Sequence, residues 1–433
     1  MSEITKQRLL ILAICLTTIP FFATVNLPSN WGLGTQDIQS VALYFSAVSG
    51  YIGVALLIWQ LLLGTRSVSG LFFDDLPDKL KLHHKLGMYG SIAVLLHPVL
   101  LLVVYSESLV YVLWPTDDSS FELAVTYGRI AFWGMVLLWL SAVIFRKYIS
   151  YRLWRYGHIL ASYSALAFVI LHTPEIGSSF KNDWIQFYWY SFMAIAAICL
   201  ILRLRFLTGL GKVKYTVVNK SDLNDKVYTI TLKPVKKQLV IAAGQHVFIQ
   251  AALLRESHPF SVLDYDPKTG QLQITIKVFG RFTSKLRNIK VGQKLLLDGP
   301  YGNFLSTQNN DKLTVYVAGG IGITPFYQNA ISSNNKNTYL FFVNQDKQTV
   351  VFGDEFRSKL ADNYIELFTQ ENIKGKNIEH GRFSSDILLR YINNPSNAQF
   401  YICGPKGMMD SATQQIKNCG VSEKNIHTED FSF

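Results

Sequence analysis

Apolar positions dominate the first half of the chain, whereas they alternate with polar positions in the second half. Before residue 207, six apolar segments are each close to the length of about 20 residues that a helix needs to cross a bilayer. We expect membrane-spanning helices at about 8–25, 40–63, 83–105, 126–145, 153–173 and 184–206. The pattern changes near Gly211, which predicts a membrane domain over residues 1–210 followed by soluble domains.

The second half contains two kinds of strand pattern. From Val213 to about Gly302, short alternating strands separated by turns predict an antiparallel β-barrel over residues 211–305. After Asn303, strands alternate with helical segments, which predicts an α/β Rossmann-like domain with a parallel sheet over residues 306–433. The predicted fold class is a multidomain membrane protein: a six-helix bundle, then an antiparallel barrel, then an α/β domain.

Composition and charge support this class and predict the orientation. Charged residues make up only 16% of the chain, below the roughly 25% of soluble domains. The net charge is +11, and the N-terminus and the second and fourth loops contain eight Lys or Arg residues, whereas the first and third loops contain none. Basic loops face the cytoplasm, so we expect a multi-pass protein of the plasma membrane with both termini and the soluble domains cytoplasmic.

Two other readings of the charge and of the chain start are disfavoured. No basic patch with interleaved aromatic residues indicates nucleic-acid binding. Lys6 and Arg8 precede an apolar run as in a signal peptide, but no small-residue cleavage site follows, so we expect a retained first span. The four cysteines form neither a disulfide framework nor a zinc motif.

Four histidines form two pairs with equal spacing. His83 and His97 lie 14 residues apart in the third segment, as do His158 and His172 in the fifth. Fourteen residues are close to four helical turns and rise about 21 Å, so both members of a pair face nearly the same way inside a hydrocarbon core of about 30 Å. Because both segments run outward, His83 should lie level with His158 near the inner face, and His97 level with His172 near the outer face.

Two histidines that face each other at one depth can ligate one haem iron from opposite sides, so we expect two b-type haems. The alternative is that each histidine is only an interfacial or hydrogen-bonded residue. His84 lies 13 residues from His97, which rotates it off the shared face and favours His83, although a local helix irregularity would reverse that choice. Arg129, in the outer part of the fourth segment, either pairs with a haem propionate or extends towards the outer surface.

Two stretches of the predicted barrel have side chains suited to FAD. The strand His258-Pro259-Phe260-Ser261 offers an aromatic ring that can lie along a flavin and a hydroxyl that can reach a ring nitrogen. A second stretch joins a strand end to a short helix, and its glycine, hydroxyls, amides and cations suit a pyrophosphate. Its candidate residues are Lys277, Gly280, Phe282 and Thr283. Taken singly, Phe260 could be a core residue and Gly280 a turn.

The sequence VAGGIGITPF at 317–326 is a stronger candidate for a nicotinamide nucleotide site. An apolar strand runs into three glycines, after which two further residues are expected to open a helix. Glycines let phosphates approach the backbone, and a helix N-terminus favours their charge. The candidate residues are Gly319, Gly320, Gly322, Thr324 and Pro325. The alternative is a tight strand-to-helix turn without a ligand.

Two further strand ends complete the predicted nucleotide site. YICGP at 401–405 places Cys403, Gly404 and Pro405 where a parallel sheet opens its ligand crevice. Cys403 alone would more often be a buried strand-end residue. After the strand TYLFFVN, Asp346 suits the ribose hydroxyls of NADH and Lys347 suits the 2′-phosphate of NADPH, so we expect little discrimination between the two nucleotides.

These motifs together resemble bacterial members of the NADPH oxidase and ferric reductase superfamily over nearly the whole chain. HHKLG at 83–87 is similar to the family's third-helix motif and favours His83, HPFSV at 258–262 resembles its flavin-ring motif, and GRFT at 280–283 its phosphate motif. GGIGITP at 319–325 and CGP at 403–405 resemble its nicotinamide motifs. The resemblance implies that Phe433, the last residue, stacks on the flavin where nicotinamide must enter.

The resemblance implies an NAD(P)H oxidase or ferric-reductase-like enzyme. Electrons would pass from cytoplasmic NADPH or NADH through FAD and two haems to an acceptor outside, with dioxygen, giving superoxide, as the favoured acceptor. Leu101 stands where some oxidases have a histidine near the oxygen site, which weakens that choice. The alternatives are a ferric or cupric chelate reductase, an electron-carrier subunit for a membrane partner, and, disfavoured by the dinucleotide motif, a transporter with buried histidines.

Overall fold

The chain folds into two compact units, Met1–Arg203 and Leu204–Phe433. The structure is a computed structural model, and it describes residues 3–27, 38–65, 68, 76–105, 114, 118–176, 178–252, 255–306, 308, 312–332, 337–373 and 375–429.

The first unit is built from long apolar helices. Within the described residues, six helical segments are long and apolar enough to cross a membrane, which confirms the predicted six spans. The helices are α1 Glu3–Thr18, α2 Pro20–Thr24, α3 Ile38–Gly64, α4 Leu76–Tyr105, α5 Ser120–Val143, α6 Tyr151–Ile176 and α7 Asp183–Leu207. Helices α1 and α2 form the first span, and α3 to α7 are the second to sixth spans. Short 3₁₀ turns lie at Phe145–Lys147 and Ser178–Lys181.

Small residues allow neighbouring spans to approach closely. A methyl group on Gly53 of the second span would lie 2.8 Å from Val94 N and 3.1 Å from Gly90 O of the third span. The fourth and fifth spans meet in the same way at Gly134, where an added methyl group would lie 3.4 Å from Ala165 Cβ. In a bilayer, helix association depends on such close packing, because lipid offers no hydrophobic gain. These contacts fix the second span on the third and the fourth on the fifth.

The second unit begins with a seven-stranded antiparallel sheet in the order β4-β3-β7-β1-β2-β6-β5. Its strands are β1 Val213–Asn224, β2 Val227–Pro234, β3 His246–Gln250, β4 Ser257–Ser261, β5 Asp264–Tyr265, β6 Leu272–Lys277 and β7 Lys294–Tyr301. The two edge strands, β4 and β5, are separated by only two residues of chain. The sheet must therefore curl until its edges approach each other, as in the predicted barrel. Helix α8, Gly280–Arg287, follows β6.

A six-stranded parallel sheet follows, in the order β11-β10-β9-β8-β12-β13. Its strands are β8 Thr314–Gly319, β9 Thr338–Asn344, β10 Tyr364–Phe368, β11 Ile378–His380, β12 Gln399–Cys403 and β13 Ile426–Glu429. Its helices are α9 Tyr327–Ser332, α10 Gly353–Leu360, α11 Ser385–Tyr391 and α12 Lys406–Asn418. Alternate residues of β8 enter two separate hydrophobic clusters, so both faces of the sheet are buried. This confirms the predicted α/β class.

The strand order reverses between two neighbouring strands. The chain proceeds outward from β8 through β9, β10 and β11, then crosses back to place β12 and β13 on the other side of β8. Open α/β sheets bind their ligands at such a reversal, outside the carboxyl ends of the strands. The crevice between β8 and β12 is therefore the expected ligand position in this half of the unit.

One local expectation was wrong. Thr324 and Pro325 do not open an α-helix but lie inside a 3₁₀ segment, Gly320–Phe326, and the α-helix begins only at Tyr327. The Thr324 hydroxyl donates to Ile321 O at 3.0 Å, a bond across three residues that fits the tighter winding. The amides expected to receive phosphate thus belong to a 3₁₀ turn.

Candidate functional site

The outer histidine pair is brought together in the membrane unit. The ring centroids of His97 and His172 lie 6.2 Å apart, with their planes at 80°. His97 Nδ1 lies 3.0 Å from Ser46 O, and His172 Nδ1 lies 2.9 Å from Ala124 O. A carbonyl oxygen can only accept, so each Nδ1 carries the proton and each Nε2 keeps its lone pair. Two imidazoles that bind one metal ion from opposite sides through bonds of about 2 Å have centroids about 6 Å apart, so this pair fits one haem iron.

At the inner level, His83 is held by contacts with the second span. His83 Nδ1 lies 3.1 Å from Gln60 O, while the Gln60 side-chain nitrogen lies 3.3 Å from His83 Nε2. His158 is close enough to interact electrostatically with His83. Ligation of iron by His83 Nε2 would require only that the flexible, half-buried Gln60 amide turn away. The His83 ring is thus held through Nδ1, as the rings of the outer pair are.

His84 differs from His83 in its surroundings. His84 is exposed, whereas His83 is half-buried against the second span. The two rings lie 6.2 Å apart at 59° to each other, so they do not share one direction. His83 thus has the closer contact with the second span, and its choice as the ligand stays a prediction.

The second span contains a matching pattern that the sequence reading did not detect. Ser46 and Gln60, whose carbonyls accept from His97 and His83, are also 14 residues apart, and their span is antiparallel to the third. The Ser46 side chain is fully buried, and its hydroxyl lies 2.9 Å from His97 Nδ1 and 3.0 Å from His97 O. The sequence does show this repeated spacing. It does not indicate a function by itself, because the accepting atoms are main-chain carbonyls, which every residue has.

Arg129 is buried, at 5% exposure, which argues against an extension to the outer surface. Its guanidinium lies 3.8 Å from the Glu122 carboxylate and donates to the Thr126 hydroxyl at 3.2 Å. Glu122 is held in the first turn of the fourth span, where its amide donates to the capping hydroxyl of Ser119 at 3.1 Å. The arginine is thus placed near the outer end of the bundle by its neighbours.

No cluster of three or more His, Cys, Asp or Glu side chains suited to a metal ion is found in the described part of the chain. Axial ligation of haem needs only two protein ligands for each iron. Each of the two histidine pairs supplies that number of ligands.

The two flavin motifs meet through one aromatic side chain. The Phe282 ring stacks on His258, with centroids 4.1 Å apart, and lies 6.2 Å from Phe260. Pro259 lies on the same strand, and Ser261 at its end is buried. Gly280, at φ +82°, begins α8, and the Thr283 hydroxyl accepts from Phe279 N at 2.7 Å and so closes the turn. Lys277 is exposed beside this turn.

The nucleotide motifs meet at the strand reversal. Cys403 pairs with Ala318 at the carboxyl ends of β12 and β8. A methyl group on Gly322 would lie 2.4 Å from Cys403 O, and one on Gly404 would lie 3.1 Å from the Gly319 Cα. Gly320 has φ +54°, a conformation that favours glycine. The glycines therefore allow the two loops to touch through their backbones.

A buried carboxylate next to this crevice was not detected from the sequence. Glu429 ends β13 beside Cys403 and is 5% exposed. Its carboxylate lies 3.5 Å from His246 Nδ1 on β3, so it joins the parallel sheet to the antiparallel one. Burial raises the pKa of Glu429, and the neighbouring His246 opposes this increase. Its strand was also missed, because four residues of mixed polarity carry no periodic signal.

Phe433, the expected aromatic partner of the flavin, lies outside the described residues, so its position stays a prediction.

Three known protein families match successive parts of the chain. Residues 49–171 match the ferric reductase like transmembrane component, residues 212–305 match an FAD-binding domain, and residues 316–414 match an oxidoreductase NAD-binding domain.

Individual relatives are distant. The chain is similar to the phenol hydroxylase P5 protein of Acinetobacter pittii, with 24% identity over 50% of this chain and 64% of the relative. It is also similar to NADH-cytochrome b5 reductase 1 of Eremothecium gossypii, with 28% identity over 48% of this chain and 79% of the relative. Among solved structures, the flavohem-like FAD/NAD-binding domain of nitric oxide dioxygenase from Vibrio cholerae matches 50% of this chain and 98% of that domain, at 21% identity and a TM-score of 0.45. The chain thus spans just under two thirds of the first relative's length.

Six helical segments long and apolar enough to cross a membrane in the described ranges, an FAD-binding domain and an NAD-binding domain define a membrane-bound oxidoreductase of the flavin- and nicotinamide-dependent class. With the ferric-reductase-like membrane component in front of these two domains, the chain belongs to the ferric reductase and NADPH oxidase superfamily.

Proposed function

We propose that the protein carries electrons from cytoplasmic NAD(P)H through FAD and two bis-histidine haems to an acceptor on the opposite side of the plasma membrane, with dioxygen as the acceptor. The geometry of His97 and His172 carries this proposal. Their rings are 6.2 Å apart, and each Nδ1 is held by a main-chain carbonyl of a neighbouring span. A fixed ring with a free Nε2 is what a metal-ligating histidine requires.

The protein's own residues act by binding and orientation. When bound, the nicotinamide supplies a hydride, the flavin converts the electron pair to single electrons, and haem carries them one at a time. The glycine turn at 319–322 and the loop at 403–405 would hold the nucleotide, while Ser261 and Phe260 would face the flavin ring. His83, His158, His97 and His172 would hold the haems, and Phe433 would leave the flavin when nicotinamide enters.

The choice of dioxygen rests on the ligand sets. Iron with two histidine ligands has no open coordination position, so the acceptor must receive electrons at the haem edge. Dioxygen is small enough for that route. Each NAD(P)H would then reduce two molecules of dioxygen to superoxide.

An optical spectrum recorded with NADPH, with and without oxygen, tests the proposal. We expect a Soret band for two haems per chain, reduction of the haems by NADPH without oxygen, and reoxidation when oxygen is added. Cytochrome c reduction that superoxide dismutase abolishes would support dioxygen. Anaerobic reduction of a ferric or cupric chelate that is insensitive to dismutase would instead support the chelate reductase, and fast haem reduction with slow turnover would support a carrier subunit.

Gly128→Ala should displace the outer haem. A methyl group at Gly128 would lie 2.5 Å from His172 Nδ1 and Cε1, so the ring must move from its place opposite His97. We expect the haem content to fall from two to about one per chain, measured as the pyridine haemochrome. Gly157→Ala is the matched control, because a methyl group there meets nothing within 4 Å. Two intact haems in Gly128→Ala would contradict the assignment of His172.

Nucleotide preference should be weak and should depend on Asn344. This residue ends β9 beside β8, is 5% exposed, and neither polar atom of its side-chain amide has a hydrogen-bond partner among the described residues. The Asp346 carboxylate caps the 3₁₀ turn that follows, since it accepts from Thr349 N at 3.0 Å. We therefore infer that the neutral amide of Asn344 meets the adenosine ribose.

The test compares kcat/KM for NADPH and NADH. In the wild type, we expect the kcat/KM values for the two nucleotides to differ by less than tenfold. In Asn344→Asp, the ratio of these values should shift at least tenfold towards NADH, because a carboxylate repels the 2′-phosphate. Asp346→Asn, which removes a charge two residues away, should change the ratio less than threefold. A hundredfold preference in the wild type, or equal shifts in both variants, would contradict the role of Asn344.

A further inference from the structure

One of the four histidines lacks the anchor that the other three share. His83, His97 and His172 each place Nδ1 within 3.1 Å of a main-chain carbonyl of a neighbouring span. His158 Nδ1 is buried and has no hydrogen-bond partner among the residues that the structure describes. Among these residues, the His158 ring is therefore oriented by packing rather than by a hydrogen bond at Nδ1.

Trp154 occupies the position that such an orienting group needs. It lies one helical turn before His158 on the fifth span, and its ring stacks on the imidazole with centroids 5.1 Å apart and planes at 26°. The indole Nε1 donates to Ser141 O of the fourth span at 3.1 Å. The Arg146 guanidinium lies 5.1 Å from the centre of the same ring. The indole is thus fixed by the fourth span and by a cation, and it in turn fixes His158.

We propose that Trp154 is the positioning residue for His158, and that this stacked, unanchored ligand makes the inner haem easier to reduce than the outer one. The inference rests on the proposed haem function. An imidazole whose Nδ1–H donates to a carbonyl is a more basic ligand and stabilises ferric iron. Both outer ligands have this bond, whereas only one inner ligand does.

A nearby cation acts in the same direction. Arg203, whose guanidinium donates to Gly64 O at 2.8 Å, lies close enough to His158 to interact with it electrostatically. Positive charge favours the form of the haem that has gained an electron. The cation at the outer level, Arg129, lies 3.8 Å from the Glu122 carboxylate, which compensates part of its charge. The difference between the two levels therefore comes from their surroundings and not from the ligands themselves.

The experiment is a redox titration of the full chain in nanodiscs, followed by absorbance and by the low-spin haem signals in electron paramagnetic resonance. In the wild type we expect two waves. Ser46→Ala, which removes the hydroxyl at His97, should move only the lower wave and so assign it to the outer haem. A shift of the upper wave in Ser46→Ala would overturn the proposed order of potentials.

Trp154→Leu should lower the midpoint potential of the inner haem by at least about 59 mV, which corresponds to a tenfold change in its one-electron equilibrium constant. The smaller side chain lets water reach the Nδ1–H and frees the ring to rotate, so one low-spin signal should also change while the other stays. Trp154→Phe keeps a stacking ring, so its one-electron equilibrium constant for the inner haem should stay within threefold of the wild-type value. Trp139→Leu, at an exposed tryptophan on the fourth span, is the control and should change nothing.

Failure of the proposed function and failure of the role of Trp154 would give different results. A wild type without two haems per chain would overturn the proposed function itself. Two haems whose potentials and signals do not respond to Trp154→Leu, or that both respond equally, would overturn the role of Trp154 alone.

Discussion

His83→Ala is expected to lose one of two haems and all electron transfer across the membrane, whereas His84→Ala is expected to keep both haems. His83 is half-buried with Nδ1 held at 3.1 Å by Gln60 O, while its neighbour is exposed. Removal of an axial ligand leaves iron with a vacant position and a cavity beside it. The haem content should fall from two to about one per chain, and NADPH should no longer support reduction of an external acceptor.

A rescue experiment makes this prediction sharper. His83→Gly leaves a cavity of the shape of an imidazole, so added imidazole should restore the inner haem and its low-spin spectrum. The same treatment should not affect His84→Gly. If His84→Ala loses haem and His83→Ala does not, the ligand is the neighbouring residue and the helix geometry has been misread. If neither variant loses haem, the inner histidines do not bind it.

The histidine pairs could be predicted from sequence because a regular helix converts spacing directly into direction. Their surroundings could not. The anchors at Ser46 and Gln60 are main-chain carbonyls, which every residue possesses, so only the packing of the second span on the third reveals them. The stacking of Trp154 on His158 is local to one helix, but its Nε1 bond to Ser141 O requires the fourth span.

The soluble half shows the same division between local and long-range information. Long apolar strands such as Thr314–Gly319 and Gln399–Cys403 were expected, and their carboxyl ends meet at the predicted crevice. The edge strands Ile378–His380 and Ile426–Glu429 are short and polar, and they are strands only because a neighbour supplies their hydrogen bonds. Glu429 depends on such a strand, so its place beside the crevice could not be anticipated.

Gly322→Ala is expected to reduce kcat/KM for NAD(P)H at least hundredfold, which corresponds to about 2.7 kcal/mol of lost transition-state stabilisation. Its methyl group would lie 2.4 Å from Cys403 O, 2.6 Å from Cys403 C and 2.8 Å from Gly404 N. All three atoms belong to the backbone of the neighbouring strand end, so no side chain can rotate away. The glycine turn and the CGP loop would be forced apart at the position where the nucleotide is expected.

Two other glycines separate the effect of space from that of backbone strain. Gly407→Ala meets nothing within 4 Å and should leave kcat/KM unchanged. Gly320→Ala also has open space but lies at φ +54°, so it should cost only about 1 kcal/mol of strain. Haem content and flavin content, measured on the same samples, should stay at wild-type values in all three variants, because the clash is confined to the parallel sheet. A Gly322→Ala enzyme as active as Gly407→Ala would mean that the two loops need not touch, and that the nucleotide is held elsewhere.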